Sequence, residues 1–175
     1  MKKVALIYWP QGGSVERCAN IINDKLQDCN VEFHCLEDVK AGDLAKFDSI
    51  VLGGSTVGAD HWSNDQNQDE WTFLFSEMEK EQVDLKDKTI ALFGLGNQML
   101  YPNHFVDGMI TIKKAFEKFG VKTVGPWPTD GYDFNESQAI EDDKFVGLAL
   151  DEDSQPELTE ERIDEWLHMI KKDIA

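Results

Sequence analysis

Apolar runs of strand length alternate along the chain with stretches in which apolar residues recur every three or four positions. The runs are KVALIYW (3–9), VEFHCL (31–36), SIVLGGS (49–55), TIALFGL (89–95), VKTVGPW (121–127) and FVGLAL (145–150). Residues 49–55 and 89–95 are almost without polar positions, the pattern of strands buried on both faces of a parallel sheet. Between the runs, Val15, Ala19, Ile22 and Leu26 form one apolar stripe at helical spacing. Phe105, Met109, Ile112 and Phe116 form a second, and Ile163, Trp166, Leu167, Ile170 and Ile174 a third. Thr159 is placed to cap the last helix, with Glu160 and Glu161 in its first turn and Lys171 and Lys172 near its end. The alternation predicts an α/β fold over residues 1–175: one domain with a doubly wound, five-stranded parallel sheet. Residues 128–144 (PTDGYDFNESQAIEDDK) are polar and acidic and read as a loop inserted into the last strand.

In such sheets ligands sit beyond the carboxyl ends of the strands, near the switch in strand order. That draws attention to three loops: PQGGS after the first strand, STVGADHWSNDQNQDEW after the third and LGNQMLYPNHF after the fourth. In the first, Gly12 and Gly13 permit close backbone approach and unusual φ, and Ser14 opens a helix whose free N–H groups and dipole favour an anion. Neither a Gly-Lys-Ser/Thr phosphate loop nor the dinucleotide fingerprint occurs there. The loop is therefore either a phosphate cradle built from backbone or a tight turn that binds nothing. In the third loop, Tyr101 can stack on a flat ring, Asn97 offers a donor and an acceptor to a heteroaromatic edge, and Gly94 and Gly96 keep the backbone near a ligand. In the second, Gly58-Ala59 forms a peptide able to flip and Trp62 can cover a ring. His61 beside Asp60 has no second ligand at metal-binding spacing. A phosphate cradle and two aromatic-bearing loops at one sheet edge fit flavin mononucleotide (FMN).

Composition narrows the partners. With 34 acidic against 17 basic residues the net charge is −17. That disfavours nucleic acid and anionic membrane and favours a basic-surfaced protein met by electrostatic steering. The chain has no apolar run long enough to span a membrane and no pattern of a signal peptide. Cys18, Cys29 and Cys35 have neither C-x-x-C spacing nor an even count. The expectation is a reduced, cytoplasmic protein. A phospho-receiver domain needs an acidic pair after strand 1 and an Asp ending strand 3, where this chain has Trp9-Pro10 and Gly53-Gly54-Ser55-Thr56.

Two stretches, LFGLGNQMLYPNHFVDGM (92–109) and GPWPTDGYDFNESQAIEDDKFVGLALDEDSQPELTEERIDEWL (125–167), closely resemble flavodoxins of the long-chain type. The resemblance spans the whole chain and is strongest from about residue 85. It implies a flavodoxin-like fold, FMN, and low-potential single-electron transfer between a reductase and an acceptor rather than transformation of a substrate. By position it assigns the phosphate to Pro10, Gln11, Gly12, Gly13, Ser14 and Val15. It assigns further cofactor contacts to Ser55, Thr56, Val57, Gly58, Ala59 and Trp62, and to Gly94, Leu95, Gly96, Asn97, Tyr101, Asn103 and Phe105. Tyr101 falls on the family's flavin-stacking tyrosine and Gly58-Ala59 on its redox-sensitive peptide.

The departures lie in the first two loops. The family's phosphate loop reads roughly Ser/Thr-x-Thr-Gly-x-Thr. Here Pro10, Gly12 and Val15 stand at its hydroxyl positions, and Ser14 replaces them only in part. Val57 stands where the family has a tryptophan, in a loop several residues longer than usual, so Trp62 is the expected replacement. The alternative reading is a flavin-free module that keeps the fold and serves interaction alone.

Overall fold

The computed structural model describes residues 1–55 and 70–175. The central sheet runs in the order β2-β1-β3-β4-β5, every neighbour parallel: β1 (Lys3–Tyr8), β2 (Asn30–Cys35), β3 (Ser49–Gly54), β4 (Thr89–Leu95) and β5 (Lys122–Val124). The expected boundaries hold to within a residue for β1–β4. Every residue of β3, and all of β4 beyond Thr89, is buried.

The last position of the sheet is shared. β5 pairs with Thr89–Ala91 of β4, and β9 (Leu148–Leu150) pairs in parallel with Phe93–Leu95 further along the same strand. Two short strands thus continue one another along β4, and the chain between them is the predicted insertion. That insertion is not merely a loop. β6 (Trp127–Pro128), β8 (Lys144–Phe145) and β7 (Ile140–Glu141) pair antiparallel into a small second sheet. Phe145, Phe134 and Tyr132 pack with Phe105 into an aromatic cluster beneath it.

Helices cover both faces. α1 (Ser14–Lys25) packs against α4 (Thr159–Ile174) on one side, and α2 (Glu70–Lys80) against α3 (Gly108–Glu117) on the other. The three predicted stripes are buried throughout. α2 was not among them, although Trp71, Leu74 and Met78 make its buried face at i, i+3 and i+7. Phe105 belongs to the stripe before α3 but precedes the helix, which starts at Gly108.

Thr159 does not cap α4. It is the first residue of that helix, buried, and its hydroxyl has no hydrogen-bond partner among the described residues. A 3-10 turn, Pro156–Leu158, leads directly into α4, so the chain enters already helical and leaves no extended cap position. Among the described residues no helix is long and apolar enough to cross a membrane.

Candidate functional site

The carboxyl ends of β1, β3 and β4 lie side by side, and the three predicted loops leave from them. The first turns between β1 and α1. Trp9 N–H bonds Gly53 C=O at 3.1 Å, which ties its start to the end of β3. The Trp9–Pro10 peptide bond is cis. Gly12 has φ +82°, the left-handed region in which only glycine is unstrained. Gly13 has φ −141°, extended, so it meets no such demand. The two glycines therefore differ in their reasons, which the sequence had treated as one. A Cβ built on either would meet nothing within 4 Å among the described residues, so these leave the space over both open to a ligand.

The first intrahelical bond of α1 runs from Arg17 N–H to Gly13 C=O at 3.1 Å. Ser14, Val15 and Glu16 thus direct N–H groups without intrahelical partners into the loop. The Val15 side chain is buried, leaving only its amide for a ligand. One loop donor is already taken. Gly12 N–H bonds Glu16 Oε2 at 2.6 Å, and the other oxygen of that carboxylate accepts Tyr8 OH at 3.0 Å. Burial, with Glu16 beside it, pushes the Tyr8 phenol up to about 12, so it remains a donor to that carboxylate. Arg17, the cation of the first turns, lies against the buried carboxylate of Glu152 at 3.1 Å. The Cys18 thiol bonds the same carboxylate at 3.4 Å, and burial together with Glu152 raises its pKa, keeping it a protonated donor. A loop of this build holds an anion by oriented amides and a helix dipole rather than by side-chain charge.

The loop after β4 is held differently. Gly96 N–H bonds Leu150 C=O at 3.0 Å, and Asn97 Oδ1 accepts the N–H groups of Met99 and Leu100 at 3.1 and 3.0 Å. The turn this creates projects Met99, Leu100 and Tyr101, which are 65%, 72% and 63% exposed. Gln98, in their midst, is 2% exposed: its N–H bonds Asp151 Oδ2 at 3.0 Å and its side-chain oxygen accepts Asp133 N–H. The turn thus places an exposed aromatic at the same carboxyl edge of the sheet from which the open amides of the first loop leave.

A model of the flavodoxin family matches residues 6–166. The flavodoxin of Nostoc sp. is 38% identical over 174 residues, covering 99% of this chain and 98% of its own. The chain belongs to the flavodoxin family. Flavodoxin 1 of Escherichia coli K12 is 35% identical over 99% of this chain and 96% of its own. Among solved structures, Fusobacterium nucleatum flavodoxin bound to flavin mononucleotide superposes with a TM-score of 0.85 at 30% identity, over 100% of both chains.

Several of the expected cofactor residues also serve the protein's own packing and hydrogen bonding. The Phe105 side chain is fully buried in the aromatic cluster, its N–H on Glu136 C=O and its C=O on the Ser137 hydroxyl, so it presents nothing to a ligand. Gly94 and Gly96 are required by packing, whatever their backbone presents to a ligand. A Cβ at Gly94 would fall 2.5 Å from Met109, and one at Gly96 2.9 Å from Phe105. The Asn97 side chain is engaged by its own turn and by Asp153 at 3.3 Å, and its C=O accepts Tyr101 N–H at 2.9 Å. Leu95 is buried, and Asn103 Oδ1 accepts Asn135 Nδ2 at 3.1 Å. Ser55 closes β3 and is half-buried. Thr56, Val57, Gly58, Ala59 and Trp62, with His61 and Asp60, lie outside the described residues.

Four residues that order this edge went unremarked in the sequence: Glu16, Gln98, Asp151 and Ser137. Asp151 is fully buried and accepts three backbone N–H groups, from Gln98, Asp153 and Ser154 at 3.0, 3.1 and 2.8 Å. Its one outward signal is position, directly after the apolar run that becomes β9.

Proposed function

We propose that this flavodoxin binds FMN and acts as a low-potential single-electron carrier, not as an enzyme that transforms a substrate. The observation that carries the proposal is the pair of loops leaving one sheet edge: amides at the start of α1 without intrahelical partners, and an exposed Tyr101 on a tied turn. A phosphorylated, planar ligand fits both at once. The open space over Gly12 and Gly13 is compatible with phosphate oxygens at amide distance. Bound FMN supplies chemistry the side chains lack, passing electrons one at a time.

The chain's own residues set the conditions. The Ser14, Val15 and Glu16 amides, with the Ser14 hydroxyl, hold the phosphate, while the Gly12 amide stays with Glu16. Tyr101 covers one ring face and excludes water from it. The 34 acidic residues make added negative charge on the cofactor costly, which lowers its potential. The same field steers the molecule toward basic-surfaced redox proteins, a reductase on one side and an acceptor on the other. Three free cysteines, two of them buried, are in keeping with a reducing cytoplasm.

Titration of the apoprotein with FMN, riboflavin and FAD, read by flavin fluorescence and visible absorbance, tests the reading. FMN binds at least about tenfold tighter than riboflavin, since charge-assisted bonds to phosphate are the stronger kind. Equal affinity for FMN and riboflavin removes the phosphate role from the first loop, and no binding of any flavin leaves the interaction module. Within the loop, Ser14→Ala costs only about 1 kcal/mol of FMN affinity, because the remaining donors are backbone. A much larger loss on that substitution places the phosphate on the side chain instead.

A further inference from the structure

We propose that Gln98 is a positioning residue for Tyr101, fixing the turn that carries the ring from beneath and thereby setting affinity for the flavin ring rather than for its phosphate. The proposal rests on the FMN reading above. Tyr101 is 63% exposed, so its own side chain is poorly packed and its direction depends on its backbone. That backbone is held on both sides. On one side Gln98 is buried and doubly tied, by its N–H to Asp151 at 3.0 Å and by its side-chain oxygen to the N–H of Asp133. On the other, Pro102 C=O accepts the N–H groups of Asn135 and Glu136 at 2.7 and 2.9 Å. Ser137 then closes the frame on Phe105 C=O at 2.6 Å.

The inserted segment therefore runs alongside the Tyr101 loop and bonds to it at successive points, and Gln98 is where the insertion, the end of β9 and the loop meet. Asp151 takes the Gln98 N–H and the Gln98 side-chain oxygen takes the Asp133 N–H, a buried polar knot linking three segments. A stacking ring held in place before binding does not lose freedom on binding, and that saving appears as affinity. Gln98 is buried, so it acts through Tyr101 rather than on a ligand directly.

Gln98→Met keeps the volume of the side chain and removes its hydrogen-bonding oxygen. The affinities of FMN and riboflavin are measured for the wild type, Gln98→Met, Tyr101→Ala and the double variant, with the FMN midpoint potential and the apoprotein melting temperature of each. Gln98→Met weakens FMN and riboflavin by the same factor, about tenfold, and shifts the potential; in the Tyr101→Ala background it changes neither. Ser137→Ala, which loosens the same frame from the insertion, gives a loss of about threefold with the same dependence on Tyr101, and decides the matter if Gln98→Met does not fold. An undiminished loss in the Tyr101→Ala background, or unchanged affinity and potential in a folded Gln98→Met protein, overturns the proposal. A wild type that binds neither flavin overturns the FMN reading instead.

Discussion

Gly12→Val lowers FMN affinity by at least about a hundredfold, near 2.7 kcal/mol, while riboflavin affinity changes only a few-fold. The φ of +82° at Gly12 is the cause. A left-handed conformation costs an ordinary residue about 1–2 kcal/mol, and a β-branched one more, so valine pulls the turn toward another geometry. The amides beyond it then lose their common direction, and the Glu16 bridge to Gly12 N–H loosens with them. Gly13→Val separates strain from obstruction. Its φ of −141° suits valine and no described residue lies near its Cβ, so the apoprotein melts at its usual temperature. The branched side chain nevertheless occupies the mouth of the loop, and FMN weakens while riboflavin does not. Calorimetric titration of both ligands, beside thermal unfolding of each apoprotein, reads the contrast. A Gly13→Val protein with unaltered FMN affinity would show that the loop no longer holds phosphate, and the flavin-free module would take the lead.

Tyr101→Ala costs FMN and riboflavin alike about 1–3 kcal/mol, the range found for an aromatic stacked on a planar base. The loss is shared because the ring, not the phosphate, is affected. Tyr101 is 63% exposed, so its removal leaves the apoprotein's stability almost unchanged. Paired titrations check this, and identical affinities before and after the substitution return Tyr101 to an ordinary surface aromatic. The two sets of variants thus split the cofactor in half: the first loop answers for phosphate, the loop after β4 for the ring.

Only part of this edge was readable along the chain. Asn97 and Tyr101 were both identifiable as residues of a functional loop, but the Asn97 side chain turns back to cap its own turn while Tyr101 projects. Gly94 and Gly96 looked like concessions to a ligand. They are also where Met109 and Phe105 press against the backbone, a contact visible only once α3 is folded over β4. Phe105 sat in a stripe at helical spacing and is buried as that stripe requires, which is why it cannot also face a cofactor.

What the sequence alone determined is whatever repeats over a few residues. Apolar runs without interruption gave buried parallel strands at β3 and β4, and stripes at i, i+3 and i+4 gave the faces of α1 and α4, because side-chain direction follows local backbone period. The alternation then located the functional edge, and the resemblance supplied the family. The tertiary structure decided which residue answers to which. Gln98 meets Asp133 across 35 positions and Asp151 across 53, and no local period encodes such distances. Asp151 stands in an acidic run, Asp151-Glu152-Asp153, where nothing in the sequence marks it as the one fully buried. The topology makes the difference: β9 ends beside β4, so the carboxylate after it falls under the Tyr101 loop, where water is excluded and backbone N–H groups take its place.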